Sequence, residues 1–162
     1  MTTTPILANS CARAATSAEA RYRLDVPIAP SRGARVIALD DGAAAVAARV
    51  AGQEWASARF LICEGDSEAP RLRGIGGGEA DLAEQLEGAD VVVMIATQDS
   101  GAGCAHALGL ACWERSIMTA GIVVGDGSAA QHAVAALRPH ARVLLPSGDE
   151  SDVVDLLTAL RA

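Results

Sequence analysis

The amino-acid sequence predicts an α/β protein: a doubly wound, mostly parallel sheet of five to six strands with helices on both faces. Short apolar segments alternate with segments of helical pattern along most of the chain, and uninterrupted apolar strands are typical of parallel sheets buried on both faces. Aromatic residues make up only 2% of the 162 residues. The small side chains that dominate instead favour close packing of helices on a sheet over an aromatic-rich β-barrel.

Five apolar segments are predicted to be the main strands, and right-handed crossovers restrict them to doubly wound topologies. We expect the first strand to be central, with the second and third as its neighbours. A minor edge strand is expected at Pro70–Arg73, and Tyr22–Ile28 is either a short edge strand or a lead-in. The main strands are Arg35–Leu39, Ser57–Cys63, Asp90–Ala96, Ile117–Val124 and Ala141–Leu145.

Five helices are predicted between and after these strands. Gly52 ends the first helix, and the second is acidic and amphipathic. Strands and helices together predict one domain over residues 20–162, preceded by a Thr-, Ala- and Ser-rich tail at residues 1–19 that we expect to be disordered. The predicted helices are Ala43–Val50, Glu79–Leu86, Gly103–Glu114, Ser128–Leu137 and Ser151–Leu160.

The charge balance limits the partners of the protein. A net charge of −7 argues against nucleic acid and anionic membrane surfaces, because phosphate binding needs clustered basic side chains. No apolar segment approaches the roughly 20 residues of a membrane helix, and no signal-peptide pattern is present. We therefore expect a cytoplasmic protein. The four cysteines lack C-x-x-C spacing and are expected to be reduced and mostly buried; they are Cys11, Cys63, Cys104 and Cys112.

The candidate site lies where the strand order reverses, because open parallel sheets bind ligands at the carboxyl ends of their strands. The loops at 40–45 and 97–105 follow the first and third main strands. At 97–105 a strand, a glycine-containing turn and a helix N-terminus can offer backbone N–H groups to an anion. The predicted ligand-binding residues are Asp40, Asp41, Gly42, Ala43, Gly76, Gly77, Gly78, Asp99, Ser100, Gly101, Ala102, Gly103 and Cys104.

Each of these features also has a purely structural explanation. Gly101 and Gly103 either cradle an anion or let a helix pack closely on a strand. Gly74–Gly78 is either a ligand-binding loop or a flexible connection. Asp40 and Asp41 either bind Mg²⁺ or ribose hydroxyls or cap the next helix. The sequence leaves these alternatives open.

Cysteine and histidine chemistry is only weakly indicated. Cys104 begins a helix, which would lower its pKa, but His106 points about 200° away around the same helix. Cys63 and Cys104 end neighbouring loops and could share a metal or a disulfide, without an obvious third ligand. We therefore predict no catalytic and no metal-binding residue. The expected positions are helix surfaces for His132 and His140, and the outer helix layer for Trp55 and Trp113.

Five blocks of the chain match, in the same order, segments of one known family. The blocks are R-V-I-A-L-D-D-G-A-A-A-V-A-A-R from Arg35, C-E-G-D from Cys63, R-G-I-G-G-G from Arg73, G-A-D-V-V-V-M-I-A-T-Q-D-S-G-A-G-C-A from Gly88, and A-L-R-P-H-A-R-V-L-L-P from Ala136. Over roughly residues 34–146 the chain thus resembles the GTP-binding domain of FtsZ, the bacterial tubulin homologue. The resemblance implies that fold, a phosphate loop at 99–105 and a 74–78 loop beside the γ-phosphate.

Three departures from the family's pattern argue against GTP hydrolysis. Asp40 and Asp41 replace glycines of the loop after the first strand, and Asp99 appears in a phosphate loop that has lost its threonines. These carboxylates would repel phosphates unless Mg²⁺ lay between them. An N-x-D-x-x-D motif is absent, and we expect no counterpart of the family's second domain, which contributes to hydrolysis.

We therefore expect an FtsZ-like domain that lacks the polymerising GTPase machinery and acts as a ligand-binding or protein-interaction module. The expected cofactor, if there is one, is a weakly bound guanine nucleotide with Mg²⁺, and the expected partners are a second copy, another protein or a small molecule. The alternative is a small enzyme or cofactor-handling protein that binds a dinucleotide or a flavin through the 74–78 and 99–103 loops. A structural dimer with an empty crevice is a third possibility.

Overall fold

The computed structural model describes residues 32–65 and 70–162, and seven strands in these ranges form one sheet. The expected tail at residues 1–19, the segment Tyr22–Ile28 and Cys11 lie outside the described residues. The strands are β1 (Ala34–Ala38), β2 (Ala58–Glu64), β3 (Arg71–Gly74), β4 (Glu79–Ala80), β5 (Val91–Ala96), β6 (Met118–Val124) and β7 (Val143–Gly148). Their order across the sheet is β4-β3-β2-β1-β5-β6-β7.

Strand direction divides the sheet into two parts. β2, β1, β5, β6 and β7 are parallel, whereas β3 and β4 form an antiparallel hairpin at the β2 edge. The predicted mostly parallel sheet is therefore confirmed, as is the position of β1 between β2 and β5. The sheet has seven strands instead of five to six, because the chain turns back at Glu79–Ala80 to pair with β3.

Five helices in the described ranges cover both faces of the sheet, as predicted. They are α1 (Asp41–Ala51), α2 (Leu82–Leu86), α3 (Ala102–Glu114), α4 (Gln131–Leu137) and α5 (Glu150–Leu160). α1 and α5 pack on one face, and α2, α3 and α4 pack on the other. The longest, α3, has 13 residues, and none of the helices in these ranges has the length and apolarity that crossing a bilayer requires.

The central strands contribute to two separate cores. In β1, Val36 and Ala38 belong to the core beneath α1 and α5, whereas Ile37 belongs to the core beneath α3 and α4. β5 is buried along its whole length. Because successive side chains of a strand point to opposite faces, every side chain of these two strands must be either apolar or fully hydrogen-bonded. This explains the uninterrupted apolar pattern of the sequence.

The predicted helix at Glu79–Leu86 is shorter in the structure because its first residues form β4. Asp81 then accepts a hydrogen bond from the Glu84 backbone N–H at 3.0 Å and caps α2. At the other end, the buried Arg35 guanidinium donates from Nε to the Gln85 carbonyl oxygen at 2.6 Å. Both ends of this short helix are therefore held by side chains.

The two edges of the sheet are short or irregular. β4 has only two residues. β7 contains Pro146, which has no N–H group to donate, and its register with β6 shifts between Ile122 and Val124. Each edge therefore presents few aligned backbone groups to another strand.

Candidate functional site

The carboxyl ends of β1 and β5 meet where the strand order reverses, and Asp40 occupies this position with only 7% of its surface exposed. Its Oδ1 accepts hydrogen bonds from the Ala43 N–H at 2.8 Å and from the Thr97 hydroxyl at 2.5 Å. Its Oδ2 accepts from the backbone N–H groups of Thr97 at 2.7 Å and Gln98 at 3.0 Å. One carboxylate therefore ties the first turn of α1 to the loop that follows β5.

These contacts show that Asp40 caps α1. Each oxygen accepts two hydrogen bonds from the chain itself, which leaves little capacity for a metal ion or for ribose hydroxyls. The N–H groups of Thr97 and Gln98 point at Asp40 and are not available to a phosphate. Asp41, the next residue, is exposed in the first turn of α1.

Asp99 has the same capping role at α4. Its Oδ1 accepts from the backbone N–H groups of His132 at 2.6 Å and Ala133 at 3.1 Å, and its Oδ2 lies 2.7 Å from Nδ1 of His132. The side-chain hydrogen bond with His132, together with the two backbone donors, lowers the pKa of Asp99 from its ordinary value. This predicted ligand residue therefore connects the loop after β5 to the next helix.

Two of the predicted ligand glycines are required for close packing. A Cβ on Gly101 would lie 2.5 Å from both the Cβ and the carbonyl oxygen of Leu39, and a Cβ on Gly42 would overlap the Thr97 hydroxyl. Such contacts are sterically forbidden. Both glycines therefore allow the loops after β1 and β5 to approach each other around Asp40.

The other predicted residues of these loops differ in exposure. Ser100 is exposed, Ala102 and Gly103 are partly buried, and Ala43 and Cys104 are buried. The structure thus gathers the segments 40–43 and 99–104 at one end of the sheet, as the sequence predicted.

The turn Gly76–Gly78 lies elsewhere, which corrects the predicted position of this part of the site. It closes the β3–β4 hairpin, where Gly77 and Gly78 adopt φ angles of 99° and 89°. β3 runs antiparallel to β2 and ends at Gly74, opposite Leu61 in the middle of β2. The turn therefore extends toward the amino ends of the parallel strands, roughly 15 Å from their carboxyl ends at about 3.3 Å per residue.

Cys63 and Cys104 lie together, as expected for residues that end neighbouring loops. Both are buried, and Cys104 Sγ lies 3.3 Å from the Gly65 carbonyl oxygen. The neighbouring Cys104 thiol and burial raise the pKa of Cys63, which keeps it a neutral thiol. Over residues 32–65 and 70–162, no three His, Cys, Asp or Glu side chains form a cluster that could hold a metal.

A cavity of about 600 Å³ lies at the opposite end of the sheet, beside the amino ends of β5 and β6. Trp113 stands at this cavity with 76% of its surface exposed, which corrects the expectation that it fills the outer helix layer. Trp113 follows Cys104 by nine residues, which corresponds to about 180° around a helix. It therefore lies on the side of α3 opposite the buried Cys104. Trp55 is partly buried, and its Nε1 donates to the Val50 carbonyl at 2.9 Å. The cavity is lined by Asp90, Trp113, Ser116, Ile117, Met118, Thr119, Pro139, His140, Ala141 and Arg142.

His140, in the wall of this cavity, faces His106 on α3. Nε2 of His140 lies 3.4 Å from Nδ1 of His106, and the ring centroids are 5.3 Å apart with a 59° angle between the planes. Burial and the neighbouring His106 lower the pKa of His140. His140 is partly buried and follows the end of α4, whereas the sequence placed it on a helix surface.

Comparison of the chain with protein-family models and with curated proteins found no match. The resemblance to FtsZ stays a prediction that rests on the five sequence blocks. The α/β architecture rests on the strand order and helix layers described above.

Proposed function

We propose that the protein is a non-hydrolysing α/β binding module: an FtsZ-like domain that binds a small molecule or a protein partner without the polymerising GTPase machinery. The observation that supports this proposal is the Asp40 carboxylate. It accepts the hydrogen bonds that backbone and hydroxyl donors between β1 and β5 would otherwise offer to a nucleotide phosphate. The chain thus supplies its own anion at this position.

Electrostatics make a second anion unfavourable at this position. Two unit negative charges 4–5 Å apart repel each other by about 3–4 kcal/mol at an effective dielectric constant near 20, and the exposed Asp41 adds to the negative charge. A Mg²⁺ ion between carboxylate and phosphate would offset part of this repulsion. The proposal therefore includes weak binding of a guanine nucleotide with Mg²⁺, but not turnover, since phosphoryl transfer needs positioned positive charge.

A specific observation favours small-molecule binding at the other end of the sheet. Trp113 is exposed beside a cavity of about 600 Å³, and ligand pockets span about 300–1,000 Å³. Asp90, Thr119 and Arg142 add polar groups to the cavity wall. An indole that combines apolar area with a hydrogen-bond donor suits such a pocket. We propose this cavity as the ligand site of the module.

The dinucleotide or flavin alternative receives less support. It needs the 74–78 and 99–103 loops to hold one ligand, and these loops lie toward opposite ends of the parallel strands. Gly101, moreover, is used for contact with Leu39.

Calorimetric titration with GTP, GDP and ATP, each with and without Mg²⁺, tests whether the protein binds nucleotides only weakly. We expect dissociation constants weaker than about 1 mM, which corresponds to about 4 kcal/mol of binding free energy. Asp41→Asn removes one exposed charge and should strengthen any such binding. Gly103→Val should abolish it by placing a branched side chain in the first turn of α3. Phosphate release per subunit that rises with protein concentration, accompanied by light scattering, would overturn the proposal.

A thermal-shift screen of small aromatic and anionic molecules tests the cavity. A true ligand should stabilise the wild type and lose most of this effect in Trp113→Ala, whereas Trp55→Phe serves as the matched control and should keep it. Equal stabilisation of wild type and Trp113→Ala would place the ligand elsewhere. Light scattering coupled to size exclusion tests whether a second copy is the partner.

A further inference from the structure

We propose that His106 and His140 form a binding site for a late first-row divalent ion such as Ni²⁺ or Zn²⁺, with the remaining coordination positions taken by water. The site does not depend on the proposed ligand of the cavity. Neutral imidazole nitrogens are suitable ligands for these ions.

The distances support a shared ion. Zn–N bonds are about 2.0–2.1 Å long, so two nitrogens on one tetrahedral ion stand about 3.3–3.4 Å apart; Nε2 of His140 and Nδ1 of His106 are 3.4 Å apart. The centroids of two imidazoles on such an ion lie about 5.2 Å apart, and here they are 5.3 Å apart. The nitrogens are therefore spaced for chelation before any metal arrives.

The fold holds the His140 ring beside α3, where His106 projects from the helix. His106 and Gly109 are one turn apart on α3, and a Cβ on Gly109 would overlap the His140 ring. The Thr119 hydroxyl donates a hydrogen bond to the His140 carbonyl oxygen, which fixes its backbone beside β6. The missing side chain at position 109 thus creates the space in which His140 reaches His106.

Proton balance at the pair is simple. In the metal-free pair, the ring hydrogen bond uses one N–H and one lone pair. On metal binding, both facing nitrogens must present lone pairs, so each ring carries its proton on the outer nitrogen: Nε2 of His106 and Nδ1 of His140. No proton is released if both rings were neutral.

The three histidines of the chain provide a direct test with a matched control. His106→Gln and His140→Gln each remove one ligand, whereas His132→Gln removes a histidine of comparable type whose Nδ1 is paired with Asp99. Trp113 lines the same cavity as His140, so paramagnetic Ni²⁺ bound at the site should quench its fluorescence. The titration uses the full chain with Ni²⁺ at pH 7.5 under reducing conditions.

We expect saturable quenching in the wild type, at least about tenfold weaker Ni²⁺ binding in His106→Gln and His140→Gln, and less than about twofold change in His132→Gln. His140 packs on α3, so His140→Gln could unfold the protein. In that case the His106→Gln variant decides the test, because His106 is exposed and its replacement should leave the fold intact. Mass spectrometry after diethylpyrocarbonate treatment adds an independent readout: Zn²⁺ should protect His106 and His140 but not His132. Undiminished binding in His106→Gln, or equal loss in His132→Gln, would overturn the proposal.

Discussion

Asp40 and Asp99 show how single side chains can serve as internal anions. Each places a carboxylate at the N-terminal end of a helix, where backbone N–H groups and the helix dipole stabilise negative charge, and each also reaches a second segment of the chain. Asp40 binds Thr97, 57 positions along the chain, and Asp99 binds His132, 33 positions along the chain. These carboxylates therefore act as cross-links between loops as well as caps.

The buried Asp40 carboxylate should contribute strongly to stability. Asp40→Ala leaves the Ala43, Thr97 and Gln98 N–H groups without their acceptor, which should lower the free energy of unfolding by roughly 2–4 kcal/mol. Urea denaturation at pH 7 measures this change. Asp41→Asn, at the exposed neighbouring position, should change it by less than about 0.5 kcal/mol; equal effects at the two positions would contradict the capping role.

Gly101 and Gly76 offer a second pair of contrasting positions. Gly101→Ala forces a Cβ to within 2.5 Å of Leu39 and should destabilise by roughly 1–3 kcal/mol. At Gly76 no atom lies within 4 Å of an added Cβ, so Gly76→Ala should be neutral or slightly stabilising. Thermal unfolding of the two variants side by side measures the difference. A neutral Gly101→Ala would show that this glycine is not a packing requirement.

The residue scale was the least predictable from the sequence. The sequence singled out glycines and aspartates of the site as candidate ligand-binding residues, but it could not show that Asp40 and Asp99 have hydrogen-bond partners in distant segments of the same chain. Thr97 lies 57 residues after Asp40, so the contact depends on the sheet topology. Trp113 could have been recognised, because helical periodicity places it opposite the buried Cys104.

At the scale of elements, helix ends connect stability to pH. The pKa values of Asp99, Asp126 and Asp149 are lowered from 3.8 by hydrogen bonds, mainly from the side chains of His132, Ser128 and Ser151 respectively. Unfolding restores the ordinary value, so below pH 3.8 the unfolded chain binds protons more readily than the folded one. The stabilisation is complete well above pH 3.8 and is lost as pH falls through the lowered values.

Asp149→Asn tests this acid dependence. Asp149 forms a capping box with Asp152 at the start of α5, and removing its charge should flatten the loss of stability below pH 3.8. Urea midpoints between pH 2 and pH 7 provide the measurement. A variant with the wild-type slope across this range would show that the cap does not sense acid.

The parallel strands were predicted well, and β3 lies where a minor strand was expected at Pro70–Arg73, but β4 was not predicted. β1 and β5 are buried along their whole length and β6 along most of it, and burial is what an uninterrupted apolar pattern reports. β2 is only partly buried, and no residue of β7 is fully buried. The two-residue β4 exists only because the Gly76–Gly78 turn returns the chain along β3, and no periodicity can appear in two residues. The same turn shortened α2 and moved the glycines away from the candidate site.

At the scale of the whole molecule, the cores on the two faces of the sheet keep side chains, including three cysteines, away from solvent. Cys63, Cys104 and Cys112 all lie in the core beneath α3 and α4. Burial raises the pKa of Cys112 to about 11 and, with its thiol partner, raises that of Cys63. Both effects oppose formation of the reactive thiolate.

These thiols should therefore report opening of the fold. In a Cys11→Ser background, which removes the cysteine outside the described residues, reaction with Ellman's reagent at pH 8 should be slow and should accelerate with added urea. The observed rate measures the population of open molecules. Rapid reaction of one full thiol equivalent in the folded protein would contradict the burial of this core.

The two-residue β4 and the proline in β7 determine how copies of the protein can meet. Strand addition, the route by which sheets grow into continuous fibrils, needs a long row of unpaired N–H and C=O groups. Within residues 32–65 and 70–162, neither border of the sheet provides one. Association at high concentration should accordingly proceed through helical surfaces, producing discrete assemblies that dissociate on dilution instead of cross-β fibres.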